Sequence, residues 1–183
     1  RRGVARTNLR ATPDFSPAVR YASLPFPMLT FTKMNGAGND FVMLDNRDLS
    51  HSLDNAALAR ICDRHRGVGG DGLIAVEPAE NGADFKMRYY NADGGEAEMC
   101  GNGARCFARF VREKKLTGKR VITVETSAGI LELRVRPNHE VEVDMGAPEF
   151  EPRKIPFTAT ARAQSYQLRV DGGEQEIGAI SMG

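Results

Sequence analysis

The densest run of chemically capable residues is Met99-Cys100-Gly101-Asn102-Gly103-Ala104-Arg105-Cys106, a thiol followed by two glycines that flank an asparagine. The apolar pattern that follows predicts that a helix begins here. A helix N-terminus offers unpaired N–H donors and about half a positive charge. That setting favours a thiolate, the basic and nucleophilic form of cysteine. Gly101 and Gly103 carry no side chain to keep a carboxylate away from the same amides. A base beside an anion hole is what proton abstraction next to a carboxylate needs. The run also suits a small buried cysteine in a tight turn, because free cysteine is among the most buried residue types. The residues alone leave both readings open.

The other chemistry-bearing positions read more simply. Cys62 and Cys106 fall within helical patterns, Cys62 on the apolar face, which predicts core thiols. A zinc site from Cys62, His65, Cys100 and Cys106 would lack every usual closely spaced ligand pair, so no metal is expected. A cysteine hydrolase needs a histidine beside its thiol, and none of His51, His65 and His139 lies in the Cys100 segment. Gly67-Val68-Gly69-Gly70-Asp71-Gly72 satisfies G-x-G-x-x-G, but it leaves a helix and enters a strand, the reverse of a dinucleotide loop. It is expected to be a helix end and connection. Asn39 and Asn91 each sit in a Gly- or Asp-rich turn at a strand end, where they could offer amide donors and acceptors to a polar amino acid.

These residues need elements to hold them. Strands are predicted at Leu29 to Met34 and Phe41 to Leu44, joined by a turn over Asn35 to Asp40. Asp54 or Ser52 can cap a helix whose inward face is Leu58, Ile61, Cys62 and His65. Strands Leu73 to Val76 and Phe85 to Tyr90 come next, then the turn Asn91-Ala92-Asp93-Gly94. A second helix runs from about Asn102 to Lys114, with Ala104, Phe107, Ala108 and Val111 inward and Arg105, Arg109 and Arg112 outward. From Val121 the pattern is β: Val121 to Glu125, Ile130 to Val135 and Val141 to Met145. After a proline-marked linker, Tyr166 to Val170 and Ile177 to Ser181 are expected to pair across Asp171-Gly172-Gly173.

Composition bounds the partners. The 183 residues hold 25 Lys and Arg against 24 Asp and Glu, a net charge of +1, and 41% are hydrophobic. Such a balance removes the simplest case for nucleic acid. No apolar stretch approaches the ~20 residues that span a bilayer, so no membrane partner is expected. Three cysteines, an odd number, do not make a disulfide framework and suit a reducing compartment. Residues 1–27 differ from the rest: five arginines face the single acid Asp14, with no apolar period. They read as a disordered leader, either an upstream segment before a domain starting at Met28 or the remnant of a plastid transit peptide.

Three segments carry a resemblance. FTKMNGAGNDFV (31–42), GGDGL (69–73) and YNADGGEAEMCGNGARCFARF (90–110) resemble the diaminopimelate epimerase family. The likeness runs from about Met28 to Gly183 and says nothing about residues 1–27. It implies an α+β fold of two similar halves, each a mixed or antiparallel sheet wrapped around a central helix. It also implies a pyridoxal-independent, two-cysteine proton transfer at an α-carbon, with no cofactor, interconverting L,L- and meso-diaminopimelate for lysine and cell-wall synthesis. Cys100 matches the first cysteine, and Asn39, Asn91, Gly101 and Asn102 match substrate-binding positions. Gly72 falls where the family sometimes has Gln.

The family's second cysteine, in a Gly-Cys-Gly-Thr context, would lie beyond Gly183. The expectation is therefore a first epimerase domain at 28–144, the truncated opening of a second at 145–183, and no activity from this chain alone. The partner expected is a small amino-acid substrate; a homodimer is left open, and the expected location is the cytoplasm, or a plastid if residues 1–27 are a transit remnant. Two rival readings are a proline racemase-type relative and a non-catalytic substrate-binding half-domain.

Overall fold

Two central strands, β2 (Asn39–Asp45) and β3 (Gly72–Glu77), contain the unbroken apolar runs Phe41 to Leu44 and Leu73 to Val76 because both of their faces are covered. Phe41, Met43, Ile74 and Val76 enter one core cluster beneath helix α2 (Gly101–Glu113). Val42, Leu73 and Ala75 enter a smaller one with Leu58 and Cys62 of helix α1 (Asn55–Cys62). The computed structural model describes residues 29–181 other than 53 and 99. The expected leader, the start at Met28 and the final Met182-Gly183 lie outside the described residues.

Around β2 and β3 the sheet runs in the order β1 (Phe31–Gly36), β2, β3, β4 (Phe85–Asn91), β6 (Val121–Thr126), β7 (Gly129–Val135) and β8 (Val141–Val143), with the short β5 (Glu96–Ala97) on β4. The β2/β3 and β4/β6 pairs are parallel and the others antiparallel. Helix α2 packs against β1 at one edge and β8 at the other. A flat sheet of this order would put those edges about 29 Å apart at ~4.8 Å per strand, against a helix about 10 Å across. The sheet therefore curls around α2. This is the α+β arrangement expected, a mixed sheet around a central helix.

The expected stripe Ala104, Phe107, Ala108 and Val111 is fully buried, and Gly103, Cys106 and Phe110 are buried beside it. A helix enclosed by a curled sheet buries more than one stripe. Arg105 is exposed.

Three expectations are corrected. The six-residue turn at 35–40 shrinks to Ala37-Gly38, because pairing continues through Asn35↔Asp40 and Gly36↔Asn39. Both turn residues have positive φ, 52° and 102°, the tight hairpin geometry that matches strand twist. The first helix stops at Cys62, so His65 is exposed and not inward. Asp63 ends it: its Oδ1 accepts from the N–H groups of His65 and Arg66 at 2.7 and 2.9 Å, a turn that competes with helix.

The third correction falls in a second compact unit, which begins at Asp144. There β9 (Tyr166–Val170) pairs with β10 (Gly173–Ile177), not with Ile177 to Ser181. The partner strand is the polar run Glu174-Gln175-Glu176, whose exposure hid it from a hydrophobic reading. Ser181 instead bridges Glu149. Among the described residues, no helix is long and apolar enough to cross a membrane.

Candidate active site

Cys100 is the N-cap of α2. Its backbone is extended (φ −144°, ψ 108°), its carbonyl accepts the first intrahelical bond from Ala104 at 2.8 Å, and its Sγ accepts from the Gly103 N–H at 3.3 Å. The sulfur thus takes the place that a Ser or Asp oxygen usually fills. The N–H groups of Gly101 and Asn102 precede that first bond and belong to the orphan donors of the helix start. Gly103 packs closely: a Cβ there would come within 2.9 Å of Ile74 Cδ1 and 3.3 Å of Cys100 Cβ, so the tip of Ile74 would have to shift to admit one. Cys100, Gly101 and Asn102 are all partly exposed.

Asn39 opens β2 and reaches this helix start directly. The Asn102 Nδ2–H donates to Asn39 Oδ1 at 2.9 Å, and the Asn39 Nδ2–H donates to Asp71 Oδ2 at 3.0 Å. Arg105 Nη1–H donates to Asn102 Oδ1 at 2.7 Å. Asp71 faces Asn39 because β2 and β3 are parallel neighbours, with Phe41 opposite Gly72. The Asn39 amide and the Asp40 N–H, with Arg64, hold the Asp71 carboxyl below its ordinary range against the opposing effect of burial. Asp40 is held lower still, by Arg64 first and then Lys33.

Asn91 closes β4 and is exposed; its Oδ1 accepts from the Tyr89 hydroxyl at 2.9 Å. The Tyr89 ring lies over Gly72, where a Cβ would meet Tyr89 Cε2 at 2.7 Å and the Tyr90 carbonyl oxygen at 2.3 Å. Burial pushes the Tyr89 hydroxyl pKa up, and the neighbouring Cys100 sulfur adds to the rise. Asn91 is therefore tied to the Cys100 neighbourhood through Tyr89, whereas Asn39, Asn102 and Cys100 form one bonded and contiguous group.

Cys62 and Cys106, 2% and 3% exposed, are core thiols. Burial raises both pKa values, that of Cys106 to about 11. Among the described residues no three His, Cys, Asp or Glu side chains cluster to hold a metal. The Gly67–Gly72 loop is the expected connection into β3 but not the helix cap, which is Asp63; its Gly69 and Gly70 N–H groups return to the Ile61 and Cys62 carbonyls. That reading passed over Asp71, and with it Tyr89 and Arg105. An acid at the mouth of a strand, just after glycines, was the one local signal for Asp71.

A partly exposed thiol at a helix start, next to two orphan amides and two side-chain amides, can hold a carboxylate and move a proton beside it. The comparisons with known proteins agree in kind. A family model for diaminopimelate epimerase matches residues 31–151. The chain is 54% identical over 155 residues to the diaminopimelate epimerase of Nitrosomonas europaea, covering 85% of this chain and 56% of that protein. It is 52% identical over 157 residues to that of Azotobacter vinelandii, covering 85% and 57%. The chain thus spans little more than half the length of these curated relatives. Among solved structures, a probable proline racemase from Agrobacterium radiobacter K84 superposes with a TM-score of 0.58 at 13% identity, covering 84% of this chain and 49% of that one. That likeness concerns the fold alone. Identity near one half over 155 residues, with a family model matching residues 31–151, is what a common family produces, and the chain belongs to the diaminopimelate epimerase family.

Proposed function

We propose that this chain contributes one half of a pyridoxal-independent epimerase acting on the α-carbon of diaminopimelate, with Cys100 as one of two bases. The observation that carries the reading is the partly exposed Cys100 capping α2 through its sulfur, with the bonded pair Asn39 and Asn102 beside it. In the forward step the Cys100 thiolate takes the α-proton and becomes a thiol. A second thiol gives its proton to the opposite face and becomes a thiolate, so the centre inverts and the two sulfurs exchange protonation states. The Gly101 and Asn102 amides meet the carboxylate, while Asn39 and Asn91 orient the amino acid. The carbanion needs fixed dipoles in a site closed to water.

Residues 28–144 act as the first epimerase domain and 145–183 as part of a second. Cys62 and Cys106 are core thiols, which leaves one thiol at the site; the 183-residue chain alone is inactive on this reading. The partner is the amino-acid substrate, and the location is the cytoplasm, where such metabolites are made.

The test is deuterium incorporation from D₂O at the α-carbon of L,L-diaminopimelate, using the natural protein that carries these residues and its Cys100→Ala variant. Exchange with inversion that vanishes in the variant is expected. Exchange untouched by the substitution overturns the assignment of Cys100, and no exchange in the parent leaves a binding half-domain.

A further inference from the structure

Asn39 and Asn102 each carry an amide that fits its place equally well in two orientations, related by exchange of nitrogen and oxygen. Their hydrogen bonds choose between them. The bonds form one line: Arg105 Nη1–H to Asn102 Oδ1 at 2.7 Å, Asn102 Nδ2–H to Asn39 Oδ1 at 2.9 Å, and Asn39 Nδ2–H to Asp71 Oδ2 at 3.0 Å. A guanidinium can only donate and a carboxylate can only accept. Both ends therefore impose the same polarity on the two amides between them. Turning either amide alone would set N–H against N–H or oxygen against oxygen at both of its bonds.

The acidic end is itself anchored. Arg64 Nη2–H donates to Asp71 Oδ1 at 2.8 Å and grips Asp40 through two bonds at 2.6 and 3.0 Å. The Asp40 N–H donates to Asp71 Oδ2 at 3.1 Å, the Asp71 N–H returns to the Asp40 carbonyl at 2.8 Å, and Lys33 pairs with Asp40 at 2.9 Å. Asp71 cannot swing away from Asn39 without breaking this set.

We propose that Asp71 and Arg105 are positioning residues that lock the amides of Asn39 and Asn102 in one orientation, so that a fixed set of donors and acceptors meets an amino-acid substrate. The proposal rests on the reading of this site as an epimerase half-site. After the bonds in the line, each amide keeps one N–H and one carbonyl lone pair unspent. With the orientation locked, which of them meets the substrate carboxylate and which the ammonium is decided before binding. A ligand then pays nothing to sort the amides, the usual source of affinity in a preorganised site.

The test uses the natural protein carrying these residues, with Arg105→Met, Arg105→Lys, Asp71→Asn and Cys100→Ala. Arg105 is exposed, so Arg105→Met removes the donor and keeps the stem; Arg105→Lys restores a donor. Expected is a rise in KM for L,L-diaminopimelate of about tenfold in Arg105→Met and Asp71→Asn, the size of one net hydrogen bond. The accompanying change in kcat stays under about threefold, and Arg105→Lys recovers most of the loss. The side-chain ¹⁵N–H₂ signals of Asn39 and Asn102 in the 183-residue chain give a readout independent of turnover: they shift or split in Arg105→Met and return in Arg105→Lys. Unchanged KM and unchanged amide signals, with Cys100→Ala dead, overturn the positioning proposal and leave the epimerase reading standing. Full exchange in Cys100→Ala overturns that reading and this proposal with it.

Discussion

Gly36 and Cys106 lie so close that a Cβ on Gly36 would come within 2.7 Å of the Cys106 sulfur and 2.9 Å of the Asn102 carbonyl oxygen. This contact seats the β1–β2 hairpin on the opening turns of α2, and Gly36 is the register partner of Asn39. The reach of Asn39 to Asn102 depends on it. Gly36→Ala should cost about 1–3 kcal/mol by overpacking. Pairing it with Cys106→Ala should recover only part, since the carbonyl remains in the way. Urea midpoints of the two single variants and the double variant check this; a Gly36→Ala midpoint equal to the parent's contradicts the contact.

The three thiols differ in access. Cys100 is partly exposed, while Cys62 and Cys106 are buried with raised pKa values. Since the thiolate is the reactive form, a limiting maleimide at pH 7 should label Cys100 at least about tenfold faster than the others in the folded chain, and all three alike in denaturant. Peptide mapping after brief labelling gives the rates. Early label on Cys106 would show that the helix is not enclosed as described.

Gly72 faces a harder obstacle than Gly36. The nearest atom to its missing Cβ is the Tyr90 carbonyl oxygen at 2.3 Å, part of the neighbouring strand's backbone. Gly72→Ala should therefore cost about 3 kcal/mol, the upper end for overpacking, and truncating the Tyr89 ring should not rescue it. Thermal unfolding of Gly72→Ala and of Gly72→Ala with Tyr89→Ala distinguishes a backbone clash from a ring clash.

Acid should loosen the Asn39 end of the site. Asp40 and Asp71 both have lowered pKa values in the folded chain, so the unfolded chain binds more protons as pH falls. Their stabilisation is complete above the unfolded carboxylate value of about 4 and is lost as pH drops through the lowered folded values. The groups facing them are Lys33 and Arg64, which stay charged throughout this range. Asp40→Asn should lower stability at pH 6 and flatten its fall between pH 5 and 3. Parallel slopes for parent and variant across that window would remove Asp40 from the account.

What the sequence by itself determined is local. The stripe Ala104, Phe107, Ala108 and Val111 is buried as its spacing predicts, and Cys100 stands at the helix mouth where its two glycines predict a start. Asp54 caps α1 with a bond to the Ala57 N–H at 2.7 Å. Periodicity and caps are readable because they involve residues within a turn or two of one another. The polar hairpin strand at Glu174 to Glu176 escaped because an exposed strand leaves no apolar alternation to read. Only the tertiary structure decided the company of Asn39. The parallel pairing of β2 with β3 brings Asp71 to it from 32 positions away, and the curl of the sheet brings Asn102 from 63. Parallel pairing needs a long crossover, and its register is set by two buried faces at once, so no spacing along the chain announces which residues will meet.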